Sequence, residues 1–79
     1  MMNYEMTIQK DGLSESHLNQ IKEILDTASI FSITIDEYSS FWEITGDQYD
    51  FLGWFIHLGW SHKQLQQDLT ELVLEKINN

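Results

Sequence analysis

The chain has 79 residues, with 13 Asp+Glu against 4 Lys+Arg and a formal charge of −9, yet 42% of it is hydrophobic and 13% aromatic. A disordered acidic tail lacks that apolar content, so a folded domain is expected, and at this length a single one spanning 1–79. There is no Cys to form a disulfide or a thiolate metal site, and four lysines (Lys10, Lys22, Lys63, Lys76) are too few for a patch that grips phosphate backbones, so no direct nucleic-acid binding is expected.

Residues 2–10 alternate, with Met2, Tyr4, Met6 and Ile8 on one side and Asn3, Glu5, Thr7 and Gln9 on the other, which is the period of a half-buried strand. Asp11-Gly12 ends it. Ser14 then stands where a helix N-cap belongs, with Leu13 before it to staple onto Leu18. Leu18, Ile21, Ile24, Leu25 and Ala28 recur at helical spacing and predict a helix over 15–28. Two short alternating runs follow, Phe31/Ile33/Ile35 and Trp42/Ile44, joined by the polar stretch Glu37-Tyr38-Ser39-Ser40, a hairpin signature.

Beyond Gly46 the period changes to that of a helix. Asp47 is placed to cap it, and Asp50 in the first turn suits the helix dipole. Phe51, Leu52, Trp54, Phe55 and Leu58 make a wide apolar face, and Gly53 within it implies close approach by another element, either the first helix or the last. Gly59 reads as the left-handed residue that ends the helix, which sets Trp60 against Phe55. Ser61 with Gln64 forms a capping-box pattern, and Leu65, Leu69, Leu72, Val73 and Ile77 predict a last helix over 62–77.

The order β-α-β-β-α-α describes a small α+β domain, a three-stranded sheet with helices packed on one face. A right-handed crossover makes the first two strands parallel. The third strand then either lies between them, antiparallel to both, or the first two pair directly. In both cases the bare sheet face is expected to carry Glu5, Thr7, Gln9, Ser32, Thr34, Asp36, Phe41, Glu43 and Thr45.

Catalytic chemistry finds little support. No serine stands in an activated context, and Ser14 and Ser61 are accounted for as caps. His57 and His62 are five residues apart across a helix break, which is neither a single-face nor a zinc-finger spacing. The carboxylate pairs Asp47/Asp50 and Asp36/Glu43 lack a calcium-loop pattern. The reading is a non-enzyme without catalytic residue, cofactor or metal.

The longest apolar run, Phe51 to Trp60, is ten residues, against roughly 20 for a bilayer span. Met1 to Lys10 has no basic segment leading into an apolar one, so no secretory signal is expected and a cytoplasmic protein without membrane association is.

The acids remain. Glu5, Asp36, Glu37, Glu43, Asp47 and Asp50 are expected to form a negative surface that docks a basic, nucleic-acid-binding groove of a protein partner, carboxylates standing in for phosphates, with Tyr38 or Phe41 as an aromatic anchor. In size, charge and mixed α+β content over the whole chain, this resembles the small acidic inhibitors of phages and mobile elements, such as anti-CRISPR and anti-restriction proteins, or toxin-neutralising immunity proteins. No motif assigns it to one of these, and no residue role follows from the resemblance. The alternative is a homodimer or accessory subunit that associates through the last helix, with Leu74 outside the core stripe.

Overall fold

In the computed structural model, which describes residues 3–78, β1 (Asn3–Gln9) leads to α1 (Glu15–Asp26), a 3-10 turn (Thr27–Phe31), β2 (Thr34–Glu37), β3 (Phe41–Asp47), α2 (Gln48–His57), a second 3-10 turn (His62–Gln66) and α3 (Leu69–Asn78). Met2, expected in the first strand, lies outside the described residues. The sheet order is β1-β3-β2, with β3 central and antiparallel to both neighbours. Of the two strand orders the sequence leaves open, this is the one with β3 in the middle.

One face of the sheet gives Ile8, Trp42 and Ile44 to a core completed by Ile21 and Leu25 of α1, Phe51, Trp54 and Phe55 of α2, and Leu69, Leu72 and Val73 of α3. Alternation puts every second strand residue there and the others outside.

Three boundaries differ from expectation, each for a local reason. The first helix ends at Asp26 and tightens into the 3-10 turn, where Ser32 takes φ 60 and stops it. Phe31 therefore belongs to that turn and Ser32 to its end, not to a strand, and β2 begins only at Thr34. The last helix is broken after Gln66 because Asp68 accepts from the Thr70 N–H at 2.9 Å and starts α3 afresh.

The expected cap and corner motifs are present. Ser14 accepts from the His17 N–H at 3.1 Å and Asp47 from the Tyr49 N–H at 3.0 Å. Gly59, at φ 86, closes α2: Trp60 N–H donates to the Phe55 carbonyl at 2.8 Å and Gly59 N–H to that of Ile56 at 3.0 Å. The Trp60 ring meets Phe55 edge-on with centroids 4.9 Å apart, and Lys76 of α3 donates to the Leu58 carbonyl at the same corner. Trp60 stays half-buried.

Gly53 admits neither of the expected helices. A Cβ there would lie 3.3 Å from the ring of Phe31, so the element that approaches is the 3-10 turn after α1.

Candidate functional site

The outward side chains of the sheet follow from strand register. Glu5 lies opposite Thr45, which lies opposite Thr34; Thr7 opposite Glu43, which lies opposite Asp36; and Asn3 opposite Asp47. With strands about 4.8 Å apart, Glu5, Asp36, Glu43 and Asp47 share one continuous face. Asp36 and Glu43 are direct cross-strand neighbours, a like-charge pair of the kind that weakens a sheet. Among the described residues, no lysine ammonium comes within salt-bridge distance of any of these four.

At one end of this face, Gln9 lies opposite Phe41, and the Phe41 ring stacks on Tyr38 with centroids 4.8 Å apart and an interplanar angle of 24°. The hairpin brings them together: Tyr38 N–H donates to the Phe41 carbonyl at 2.8 Å. Tyr38 is exposed and Phe41 half-buried, so the pair offers a fixed apolar surface beside the Asp36–Glu43 row.

Asp47 has two positions at once, on the outward sheet face and as the cap of α2. Its Oδ2 accepts from the Tyr49 N–H, whereas its Oδ1 is buried without a hydrogen-bond partner. Asp50 lies in the first turn of α2, half-buried, and is not part of the strand face.

Glu37 does not join the acidic face. It pairs in register with buried Trp42, so alternation turns it to the helical side. There Lys10 Nζ sits 2.8 Å from its Oε2 and Lys22 Nζ 4.0 Å from its Oε1. The Lys10 hydrogen bond and charge, with Lys22 adding to them, hold the Glu37 carboxyl below its ordinary value of 4.5. Lys10 also donates to the Tyr38 carbonyl at 2.6 Å and lies 4.6 Å from the centre of the Trp42 ring. Two of the four lysines are thus held around one carboxylate on the covered side, and the outward face keeps its charge.

Ser32, expected on the bare face, is at the end of the 3-10 turn instead. Histidines 17, 57 and 62 sit on separate elements or element ends, and among the described residues no group of three or more His, Asp or Glu side chains is arranged to hold a metal. No helix in the described residues is long and apolar enough to cross a membrane.

Periodicity assigns the aromatics of 51–60 to the core and does not single out Tyr49 and Ile56, both of which α2 leaves exposed. The signal for them is that α2 is apolar on nearly all sides, more than one buried face can use. In α3 the opposite holds. Leu74, expected outside the core stripe, is partly buried and packs against the core together with Ile77.

Comparison with protein-family models, curated proteins and solved structures gave no match to this chain.

Proposed function

We propose that the protein is a small acidic binding module, an inhibitor of the anti-defence or antitoxin type, that docks a basic nucleic-acid-binding surface of a partner protein. Glu5, Asp36 and Glu43 make the electrostatic contact, with the capping Asp47 adding its charge at the border, and Tyr38 with Phe41 anchors its edge. The observation that carries this reading is the segregation of charge across the sheet. Among the described residues, the outward face holds the carboxylates of Glu5, Asp36 and Glu43 without a paired cation, with Asp47 at its border engaged as the cap of α2, while Lys10 and Lys22 are gathered on the covered side around Glu37.

A basic groove built for phosphates gains from such a face what it gains from a nucleic-acid strand, namely neutralisation and fast, steered association. The like-charge neighbours Asp36 and Glu43 are a cost in the free domain that a cationic partner removes.

The test is capture of partners on the immobilised protein at about 0.1 M and about 1 M salt, between which the Debye length shrinks from about 10 Å to about 3 Å. A basic protein retained at low salt, released at high salt and displaced by duplex DNA is the expected result. Salt-insensitive capture sinks the reading, as does undiminished capture by the combined variant Glu5→Gln, Asp36→Asn, Glu43→Gln.

A further inference from the structure

The backbone groups left free at the sheet edges follow from the ladder. In an antiparallel sheet the direction of the N–H and C=O groups alternates from residue to residue. Tyr38 N–H donates to the Phe41 carbonyl and Lys10 N–H to the Ser40 carbonyl, so in β3 the backbone groups of Glu43 turn to β2 and those of Trp42 and Ile44 to β1. On β1 this satisfies Ile8 and Met6, and it leaves Glu5, Thr7 and Gln9 with their N–H and C=O groups directed away from the sheet. Gln9 bears this out: its N–H reaches the Thr70 hydroxyl of α3 at 3.3 Å. Among the described residues, no side chain or loop bonds the backbone of Glu5 or Thr7.

The space beside this edge is open as well. A cleft of about 310 Å³ lies between Met6 and Thr7 on one side and Gln66, Gln67, Asp68 and Leu69 on the other, with no lysine in its wall. The opposite edge differs. β2 has four residues against seven in β1, the Ile33 N–H before it is taken by the Ala28 carbonyl, and its Glu37 is flanked by Lys10 and Lys22, which repel a basic chain.

An extended chain laid antiparallel on β1, the pairing found throughout this sheet, continues the alternation. Its residues opposite Glu5 and Thr7 direct N–H and C=O groups at β1 and side chains to the outward face, toward Glu5 and, across Thr7, toward Glu43. The residue between them turns to the cleft beside Asp68. Lysine or arginine at every second position therefore meets carboxylates. A second copy of β1 instead brings a second Glu5 onto the same face, on a chain that itself carries −9. We propose that β1 is a docking edge for strand addition, and that its occupant is an extended segment of the partner protein with Lys or Arg at alternate positions. This rests on the reading of the protein as an acidic module for a basic partner and adds how that partner is held: ladder hydrogen bonds grip the segment and the carboxylates select it.

The probe is an end-capped peptide of about seven residues that alternates lysine with threonine and matches the span of β1. At saturation, amide hydrogen exchange at Glu5 and Thr7 is expected to slow about tenfold or more, whereas that of Met6 and Ile8, already in the ladder, changes little. Methylating the peptide's lysine amide nitrogens, which face β1 in this register, weakens binding about tenfold with the charge unchanged, and methylating the threonine ones does not. Thr7→Pro removes an outward N–H at an exposed edge position and keeps all 13 acids, so its circular dichroism stays that of the wild type while affinity for the peptide falls about tenfold. Should that variant lose its fold, the methylated peptides decide the matter on the wild-type chain. Strand addition is overturned by peptide that fails to bind up to about 1 mM, by unaltered exchange at Glu5 and Thr7, or by equal binding of the two methylated peptides. Salt-sensitive capture of a basic protein at full strength by Thr7→Pro overturns strand addition alone and leaves the acidic face as the contact. Capture that ignores salt removes both.

Discussion

The indole N–H of Trp54 donates to the hydroxyl oxygen of Thr27 at 2.8 Å, and the Thr27 hydroxyl in turn donates to the Ile24 carbonyl at 2.7 Å. Trp54 is fully buried, so its one polar side-chain atom needs an acceptor, and the end of α1 supplies it. This bond ties α2 to the place where α1 tightens into its 3-10 turn. It also positions the turn that carries Phe31 and Ile30.

Replacing Thr27 by valine keeps the shape and removes the acceptor. The buried indole N–H is then unpaired, and the expected cost is about 1–3 kcal/mol, read as a lower thermal midpoint. Thr27→Ser retains the hydroxyl and is expected to lose distinctly less. Equal midpoints for wild type and Thr27→Val would show that the indole finds another partner.

Gly53→Ala sets two effects against each other. Alanine improves the helix by about 1 kcal/mol, while its Cβ comes within 3.3 Å of the Phe31 ring. Phe31 is only half-buried and can move by the few tenths of an ångström required. A net gain smaller than the full propensity gain is expected by chemical denaturation, and a loss of stability would mean that the ring is held in place.

Neutralising Glu43 separates stability from binding. Glu43→Gln relieves the repulsion with Asp36 and is expected to raise the stability of the free domain by about 0.2–1 kcal/mol, more at low salt than at high. The same change weakens capture of a basic partner. Asp47→Asn removes charge but retains a good helix cap, so it is expected to weaken capture with little change in stability, whereas Asp47→Ala costs about 1 kcal/mol through the lost cap. If Glu43→Gln lowers the unfolding midpoint, the cross-strand repulsion argument fails.

Glu37 makes the fold sensitive to acid. Its carboxyl is held below 4.5 in the folded chain by Lys10 first and Lys22 second, so its contribution is present above that value and disappears as pH falls through the depressed one. Glu37→Gln is therefore expected to melt at a lower temperature than the wild type at neutral pH, with the gap closing once the pH drops below 4.5. A gap that is constant across the acid range would remove the ion pair from the account.

Interactions within a few residues of one another are legible in the sequence. The Ser14 and Asp47 caps, the Gly59 turn with Trp60 on Phe55, and the alternation that makes β1 and β3 two-faced depend on neighbours in the chain, so their spacing is enough to specify them. For the same reason Glu5, Asp36 and Glu43 can be assigned to one face of the sheet. Where a local competitor intervenes, hydrophobic spacing misplaces the boundary: Asp68 recaps the last helix, and Ser32 ends a turn that takes Phe31 out of β2.

Residue order alone describes an acidic chain able to fold as β-α-β-β-α-α, with the periodicity of each element and the residues at its ends. That β3 is central, that Glu37 directs its charge to Lys10 and Lys22, that Phe31 rests on Gly53, and that Tyr49 and Ile56 are left exposed emerges with the packing of the elements. Those facts join residues far apart in the chain, and which of several apolar or charged candidates meet is settled by how the whole set packs, because periodicity tells which side of an element is apolar but not which neighbour covers it.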